Sequence, residues 1–268
     1  MENRDSAFVG TIPENYERHF VPIIFSQYAE ILANSVGHVD GDVLELACGT
    51  GVVTRALAPL QASGRYVATD FNPPMLEIAK AKAHGEHLEF QVTDAMALPF
   101  EASRFSTVIC QFGVMFFADK PKAYAEVARV LKPGGKYVFS VWDSLAHNHF
   151  ARTIHEGIGA LYPDDPPQFM KLPFGYFDLR QIVAELQGAG FGRVTIEAIP
   201  LTSHAASPRE VALGFGMGGP LSNEVSARGT LSIEAVIDAL EEVMKAAYGD
   251  GPCAAPMQAF HICAALPE

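Results

Sequence analysis

The sequence predicts an α/β protein in which a seven-stranded, mostly parallel sheet carries helices on both faces. Short apolar runs alternate with helical stretches from residue 43 to Trp142. A glycine turn follows the first of these runs, and polar side chains recur where the runs stop. Together these observations are typical of an open sheet with a ligand crevice at the carboxyl ends of its strands. An N-terminal lid helix and a helical cap complete the prediction.

The elements follow in order along the chain. We predict a first helix over residues 21–35 and a first strand that begins at Val43. Further strands are expected at residues 65–69, 88–92, 105–110, 193–199 and 257–265, and a fifth strand ends near Trp142. Helix starts are predicted at Asn72 before a proline, at Asp178 with Gln181, and at Ser207 with Glu210; the last two pairs have the spacing of a capping box.

The glycine turn gives the first indication of function. Gly49 and Gly51 let the backbone turn sharply and lie close to a ligand. A dinucleotide site would more often have a third glycine where this chain has Thr54, and a carboxylate, Glu45, lies inside the strand. Both departures favour a cationic ligand without phosphate.

Acidic and amide side chains end the strands that follow. Asp70 comes 19 residues after Gly51, about the spacing at which an acid binds ribose hydroxyls in a doubly wound sheet. The third and fourth strands end at Asp94 and Gln111. Since the carboxyl ends of parallel strands share one edge, we expect these residues to line one crevice with Glu45.

Four segments in register resemble the motifs of class I S-adenosylmethionine-dependent methyltransferases, of the small-molecule kind that includes the ubiquinone and menaquinone biosynthesis enzymes. The segments are residues 45–51, 70–76, 93–100 and 129–135. The resemblance covers roughly residues 16–141, and it implies a Rossmann-like fold with S-adenosylmethionine as cofactor. One departure is Ala47, where many members have a glycine; we expect this change to have little effect on cofactor binding.

The resemblance also implies a role for each matching residue. Asp70 would accept both ribose hydroxyls, while Asp94 and the Ala95 N–H would bind adenine between Phe71 and Met75. Glu45 would hold the ammonium group near Gly49 and Gln111, and the aromatic faces of Tyr16, Phe112 or Phe116 would stabilise the sulfonium. The predicted cofactor-binding set is Tyr16, Glu45, Ala47, Gly49, Thr50, Gly51, Asp70, Phe71, Met75, Thr93, Asp94, Ala95, Gln111 and Phe112.

Composition restricts the class of protein. The 268 residues include 19 Lys and Arg against 31 Asp and Glu, which gives a net charge of −12 and makes nucleic acid a poor substrate. No stretch has the roughly 20 apolar residues that cross a bilayer. The charged residues Glu2, Arg4 and Asp5 disfavour a signal peptide, so we expect a cytoplasmic location. The four cysteines do not have the spacing of metal ligands, and we expect them to be buried, reduced thiols.

We predict one domain with a cap, arranged in five parts. Residues 1–40 would form the lid segment, residues 41–143 the cofactor-binding half, and residues 144–200 a substrate-side segment that includes the sixth strand. A helical cap over residues 201–251 and a last strand over residues 252–268 would follow. The glycine run at residues 214–219 lacks the lysine and hydroxyl of a phosphate loop, and we interpret it as a flexible cap hinge.

Methyl transfer needs a nucleophile in line with the sulfonium and, for a protic acceptor, a general base. His19 and His147 are our candidates. The alternative reading of His147, His149 and His155 as a metal cluster lacks a familiar ligand spacing, and no metal is expected. The acidic cap favours a neutral, aromatic or lipophilic acceptor, methylated at oxygen, nitrogen or carbon. Two alternatives stay open: an NAD(P)-dependent oxidoreductase, and a non-catalytic ligand-binding protein of this fold.

Overall fold

The computed structural model of the protein describes residues 8–268, so Glu2, Arg4 and Asp5 lie outside the described residues. Within this part, one sheet has the strand order β3-β2-β1-β4-β5-β7-β6. Its strands are β1 (Val43–Glu45), β2 (Tyr66–Asp70), β3 (Leu88–Val92), β4 (Phe105–Gln111), β5 (Leu131–Trp142), β6 (Arg193–Ala205) and β7 (Cys253–Ala265). The predicted seven-stranded α/β fold is confirmed.

Helices alternate with these strands. They are α1 (Ile12–Asn15), α2 (Ser26–Val36), α3 (Val52–Leu57), α4 (Pro73–Lys82), α5 (Lys120–Val130), α6 (His149–Leu161), α7 (Leu179–Gly188), α8 (Pro208–Met217), α9 (Leu221–Arg228) and α10 (Ile233–Tyr248). A π-helical segment, Tyr16–Phe25, joins α1 to α2. Short 3₁₀ turns cover Ala58–Leu60, Val114–Phe116, Leu145–His147 and Phe169–Lys171.

The centre of the sheet is parallel. Val43 of β1 pairs with Tyr66 on one side and with Thr107 on the other, and all three residues of β1 are buried. A strand buried on both faces explains why β1 is a continuous apolar run before Glu45. β7 runs antiparallel to β5, with Ser140 opposite His261. The mostly parallel arrangement is therefore confirmed.

The chain divides into two compact units. The sheet unit contains Gln27–Trp142, Tyr176–Ile199 and Ala259–Glu268; the helical unit contains the described residues through Ser26, together with Asp143–Gly175 and Pro200–Gln258. Most of the two segments expected to form the substrate side and the cap fall in the helical unit. The five-part division that we predicted stays a prediction.

Each unit has its own buried apolar residues. In the sheet unit, Leu32, Val43, Leu57 and Leu76 belong to one core cluster in which each is at most 1% exposed. In the helical unit, α10 buries one face, formed by Val236, Ile237, Leu240 and Met244. These four residues have the spacing of an amphipathic helix, and α10 lies in the region predicted as a helical cap.

The N-terminal helical region is longer than predicted. Helical structure begins at Ile12 rather than near residue 21, and it passes through the π-helical segment before α2 begins. Pro22 lies inside that segment and has no N–H to donate, and proline is ordinarily tolerated only in the first turn of a helix. The Ser26 N–H donates to the Val21 carbonyl, five residues back, as π-helical spacing requires.

The glycine run at residues 214–219 is not a hinge, and this expectation was wrong. Gly214 and Gly216 lie within α8, and the run is used for close packing. A Cβ added at Gly214 would lie 2.9 Å from the His19 carbonyl oxygen, and one at Gly218 would lie 2.9 Å from the Phe20 Cβ. Glycine is needed here because the π-helical segment approaches α8 closely.

Two of the three predicted helix caps are confirmed. Asp178 accepts from the N–H groups of Arg180 and Gln181, and Ser207 accepts from the Glu210 N–H. Asn72 occupies the N-cap position of α4, but its side chain makes no cap hydrogen bond and instead donates to Asp70. β6 and β7 extend beyond the predicted strands, because sequence patterns define strand ends poorly.

Two further expectations concern the whole chain. Among residues 8–268, no helix has the length and apolarity that crossing a membrane requires. The location of the protein in the cell stays a prediction. All four cysteines are free thiols; Cys48, Cys110 and Cys253 are buried, whereas Cys263 is partly exposed.

Candidate cofactor site

The turn after β1 has backbone angles that few residues adopt. Gly49 and Gly51 have φ values of +56° and +81°. A Cβ at Gly51 would lie 3.1 Å from the Ala79 Cβ, so this glycine also lets α3 and α4 approach. Ala47 has φ +50°, which is strained for a residue with a side chain. This strain explains why a glycine would suit position 47.

Asp70 ties the end of β2 to the glycine turn. Its Oδ2 accepts from the Gly49 N–H at 2.9 Å, and its Oδ1 accepts from the Asn72 N–H at 2.8 Å. The residue is 6% exposed. Burial raises the pKa of this carboxyl, and the hydrogen bonds from Asn72 and Gly49 partly offset that rise. The carboxylate is therefore fixed in orientation at the carboxyl edge of the sheet.

Glu45 is a second buried carboxyl at the same edge. Its Oε2 accepts from the Thr54 hydroxyl at 2.5 Å and from the Tyr66 hydroxyl at 2.8 Å. Burial raises the pKa of Glu45 to about 7, although both hydroxyls favour the ionised form. A cation close to the carboxylate would lower that pKa and keep the group charged at neutral pH.

Sequence reasoning missed the two donors that hold Glu45. Thr54 carried a signal, since it occupies the place where a dinucleotide motif more often has its third glycine, and the structure shows its hydroxyl on Glu45. Tyr66 is fully buried inside β2, and nothing in its sequence context predicted the contact. A carboxylate in a strand calls for such partners because an unpaired buried charge is costly.

The edge beyond β2 and β3 combines an exposed ring with buried side chains. Phe71 is 62% exposed, whereas Met75 is 3% exposed. Asp94 accepts from the Met96 N–H at 2.8 Å, and Ala95 is buried beside it. The Thr93 hydroxyl is buried and has no hydrogen-bond partner among the described residues.

The Thr50 hydroxyl is a second buried hydroxyl of the sheet unit without a hydrogen-bond partner among the described residues. Thr50 lies in the glycine turn with 0% exposure, and its Oγ1 finds no partner within residues 8–268. Buried polar groups are normally hydrogen-bonded, so each exception calls for an explanation. A bound polar ligand that offers donors or acceptors would satisfy both Thr50 and Thr93.

Gln111 and Phe112 follow β4. Phe112 has φ +53°, in the region that side chains rarely adopt, and its N–H donates to the Ser140 carbonyl at 3.0 Å. Its ring stacks on Trp142 at 3.9 Å between centroids and meets Tyr28 edge-on at 5.4 Å. One face of Phe112 is thus covered by Trp142. Its predicted contact with the sulfonium stays a prediction.

A glycine that we did not single out shapes the same turn. A Cβ at Gly113 would collide with the Ala47 Cβ and would lie 2.8 Å from the Cys110 sulfur. The turns after β1 and β4 are therefore in close contact.

Three predicted site residues belong to the helical unit. Tyr16 lies in the π-helical segment, with its ring 5.1 Å from that of Phe25. His19 in the same segment has its Nδ1 2.7 Å from a Glu210 carboxylate oxygen. The predicted roles of these residues in the site stay predictions.

His147 is the third of these residues. Its Nδ1 lies 3.1 Å from Asp143 Oδ2, and its side chain is 56% exposed. Within residues 8–268, no group of three His, Cys, Asp or Glu side chains is arranged to hold a metal ion. The alternative cluster of His147, His149 and His155 therefore has no geometric support.

Comparisons with known proteins agree with the motif analysis. Residues 44–139 match a family model described as a methyltransferase domain. The demethylmenaquinone methyltransferase of Thermus thermophilus is 45% identical over 98 residues, which are 36% of this chain and 44% of that protein. The enzyme of the same name from Lactococcus lactis is 37% identical over 145 residues, or 51% of this chain and 58% of that protein.

The matched part of the chain thus spans about half the length of these relatives. A solved structure, the YcgJ protein from Bacillus subtilis, aligns with a TM-score of 0.58 at 18% identity and covers 90% of this chain and 99% of its own. At that identity the structure supports the fold alone. All four motifs of the resemblance lie within residues 44–139, and the resemblance is confirmed for this stretch.

Proposed function

We propose that residues 44–139, which match a methyltransferase domain, bind S-adenosylmethionine as in the class I methyltransferases, and that the protein transfers a methyl group from this cofactor to a small organic acceptor. In this displacement the bond between sulfur and the methyl carbon breaks and its electron pair stays on sulfur. The acceptor atom, an oxygen, nitrogen or carbon, bonds to the methyl carbon. S-adenosylhomocysteine is the second product. The observation that carries the proposal is the Asp70 carboxylate fixed on the Gly49 turn, inside the matched domain.

The nucleoside half of the cofactor is assigned to the ends of β2 and β3. Oδ2 of Asp70 accepts from the Gly49 N–H and has a further lone pair for one ribose hydroxyl. Oδ1 accepts from both the N–H and the side-chain amide of Asn72, so a second ribose hydroxyl would take the place of that amide. Asp94 has a second oxygen, besides the one bound to the Met96 N–H, for the adenine amino group. The exposed Phe71 ring would cover one face of the base and Met75 would lie under the other.

The methionine half is assigned to the turns after β1 and β4. Glu45 would bind the ammonium group through Oε1, because Oε2 already accepts from two hydroxyls. Gly49 and Gln111 would lie along the methionine arm, with Ala47 and Gly51 contributing backbone, whereas the Ala95 N–H would bind adenine. The hydroxyls of Thr50 and Thr93 would complete their hydrogen bonding on the ligand. Tyr16 and Phe112 are the proposed aromatic neighbours of the sulfonium.

For the acceptor we propose a neutral, aromatic or lipophilic small molecule. Two observations support this class. The chain carries a net charge of −12, which disfavours a polyanion. The matched relatives are named demethylmenaquinone methyltransferases, and a quinone is a neutral compound of this class. We assign acceptor binding to the lid segment, residues 1–40, and to residues 144–200 and 201–251, with His19 and His147 as candidate bases.

Calorimetric titration with S-adenosylhomocysteine, run beside NAD and NADP, tests the cofactor assignment. We expect micromolar binding of S-adenosylhomocysteine alone. Asp70→Ala should weaken it by roughly 2 kcal/mol or more, about 30-fold, because buried partners lose their hydrogen bonds. Asp250→Ala, at an exposed aspartate, is the matched control and should bind like the parent protein. A response to a dinucleotide alone would replace the proposal with an oxidoreductase.

Turnover separates an enzyme from a non-catalytic binder. The protein would be incubated with methyl-labelled S-adenosylmethionine and demethylmenaquinone in its reduced form, followed by a panel of phenols and amines. Label in an extracted acceptor, matched by S-adenosylhomocysteine formation, is the expected result. Tight cofactor binding with no label in any acceptor would favour the binder.

A further inference from the structure

We infer that Thr54 and Tyr66 are positioning residues that orient the Glu45 carboxylate, so that the site selects ligands with an ammonium group on the methionine arm. This inference rests on the proposed function and deepens it. It assigns a role to two hydroxyls that lie outside the four motifs. All the residues that carry it belong to the sheet unit.

The two hydroxyls converge on one oxygen of Glu45. Thr54 lies in α3 and donates to Oε2 at 2.5 Å, whereas Tyr66 begins β2 and donates to the same atom at 2.8 Å. Neither hydrogen bond uses Oε1. Two donors from separate elements fix the rotation of the carboxylate, and hydrogen bonds to a charged acceptor are strong.

The backbone of Glu45 is held as firmly as its side chain. The Thr69 hydroxyl donates to the Glu45 carbonyl at 2.8 Å. The next residue, Leu46, donates its N–H to the Ile109 carbonyl at 2.8 Å. Binding groups must be held within about half an ångström of their productive position by supporting contacts. Both ends of this glutamate have such contacts.

The Glu45 carboxyl is buried without a close cation. Glu45, Thr54 and Tyr66 are each at most 2% exposed. Within residues 8–268 no ion pair includes Glu45. Arg55 lowers the pKa of this carboxyl only weakly, and its Nη1 donates instead to the Thr50 carbonyl at 2.7 Å. Because a buried charge is costly unless it is paired, this carboxylate suits a cation that a ligand supplies.

The Thr50 hydroxyl is an independent indication of a polar ligand at the same turn. Thr50 is 0% exposed, and its Oγ1 has no hydrogen-bond partner within residues 8–268. It lies between Gly49, whose N–H donates to Asp70, and Gly51. Buried hydroxyls are normally hydrogen-bonded, so a ligand would complete both the Thr50 hydroxyl and the Glu45 carboxylate.

A purely structural role for the two hydroxyls predicts a different result. Hydroxyls that only satisfy a buried carboxyl would support folding, and their removal would weaken the binding of every cofactor analogue alike. Hydroxyls that orient the carboxylate for an ammonium group would affect only ligands that carry this group. Comparison of matched ligands therefore separates the two roles.

The inference also predicts how binding depends on pH. An ammonium group binds the ionised carboxylate, so protonated Glu45 must first release its proton to water. With a pKa of about 7, about a tenth of Glu45 is ionised at pH 6 and about nine tenths at pH 8. S-adenosylhomocysteine should therefore bind about 10-fold more tightly at pH 8.

Other groups near Glu45 do not obscure this dependence. The titratable and charged neighbours are Cys48, Arg55, Tyr66, Asp70 and Cys110. Burial raises the pKa of Tyr66 and of both cysteines, which stay neutral in this range. Burial also raises the pKa of Asp70, but under the proposed function Asp70 binds the ribose of any adenosine ligand. Its titration therefore affects matched ligands equally.

The test compares two ligands by calorimetric titration at pH 8. One is S-adenosylhomocysteine, and the other is 5′-deoxy-5′-(3-carboxypropylthio)adenosine, which lacks only the amino group. The parent protein should bind the first at least 10-fold more tightly. Thr54→Val and Tyr66→Phe should each weaken S-adenosylhomocysteine about 10-fold and change the deaminated ligand less than about 2-fold, since each loses one hydrogen bond to a charged group.

Thr54→Ser keeps the hydroxyl and should bind both ligands like the parent protein. Thr195→Val, at an exposed threonine of β6, is the matched control and should do the same. The pH profile is the second readout. The Thr54 hydroxyl lowers the pKa of Glu45, so Thr54→Val should reach its full affinity for S-adenosylhomocysteine at a higher pH than the parent protein.

Three outcomes would overturn the inference. They are an equal loss of affinity for both ligands in the two variants, unchanged binding of S-adenosylhomocysteine in both, and equal affinity of the parent protein for the two ligands. The last comparison needs no variant, so it decides even where a substitution prevents folding. Failure of the parent protein to bind either ligand would instead contradict the proposed function.

Discussion

Ala47 carries backbone strain that one substitution would relieve. At φ +50° a side chain costs about 1 kcal/mol relative to glycine, so Ala47→Gly should raise the free energy of unfolding by about that amount. Chemical denaturation measures the change. Ala81→Gly, at the exposed next-to-last residue of α4, is the matched control. It should lower the free energy of unfolding by about 0.5 kcal/mol, because alanine has no backbone strain to lose in a helix. Destabilisation by both variants would argue against strain at Ala47.

Glu45 makes stability depend on pH. Its pKa is about 7 in the folded protein against 4.5 when unperturbed, so between these values the folded state holds a proton that the unfolded chain has lost. The stabilisation that the protonated Glu45 contributes is fully present below about pH 4.5 and is lost as the pH rises toward 7. Glu45→Gln should therefore reduce the fall in unfolding free energy between pH 5 and pH 8 by roughly 2 to 3 kcal/mol.

Denaturant unfolding at the two pH values checks this prediction. Glu86→Gln, at an exposed glutamate, should keep the pH dependence of the parent protein. The same Glu45→Gln variant should bind S-adenosylhomocysteine more weakly, since an amide cannot neutralise an ammonium group. A variant that is more stable at pH 8 but binds less cofactor would show that the carboxylate is retained for binding at the expense of stability.

At the scale of elements, α8 packs closely on the π-helical segment because position 214 is a glycine and carries no Cβ. Gly214→Ala would place a Cβ 2.9 Å from the His19 carbonyl oxygen, and backbone cannot move aside cheaply. We expect the free energy of unfolding to fall by about 1 to 3 kcal/mol, as is typical when an extra carbon is forced into a packed interface. In α6, a Cβ at Gly159 would have no neighbour within 4 Å, so Gly159→Ala should instead raise the free energy of unfolding by about 0.5 to 1 kcal/mol. Thermal unfolding of both variants should therefore shift in opposite directions.

The elements also show how far sequence reasoning reached. The strands and Asp70 were predictable because buried parallel strands are continuous apolar runs, and their ends must meet at one edge. The π-helical segment was not, because Pro22 resembles an ordinary helix start. The bond from Glu210 to His19 spans 191 residues, and a local pattern such as a capping box cannot predict a distant partner.

For the whole molecule, cofactor binding should appear as added stability. A ligand that binds only the folded state at 100 times its Kd contributes about 2.7 kcal/mol. For a chain of this length S-adenosylhomocysteine should then raise Tm by roughly 5 to 10 °C. Scanning calorimetry measures the shift. Asp70→Ala should lose most of it at the same ligand concentration, whereas NAD should leave Tm of the parent protein unchanged.

The division of the chain into two units has an evolutionary consequence. The family match ends at residue 139, and the helical unit resumes at Asp143, directly after β5. Its later parts are also inserted between stretches of the sheet unit. Under the proposed function, a lineage can therefore acquire a new acceptor by lengthening or exchanging these connections, while the strands and turns that bind the cofactor are inherited unchanged. The acceptor-binding and cofactor-binding parts of one gene would then diverge at separate rates.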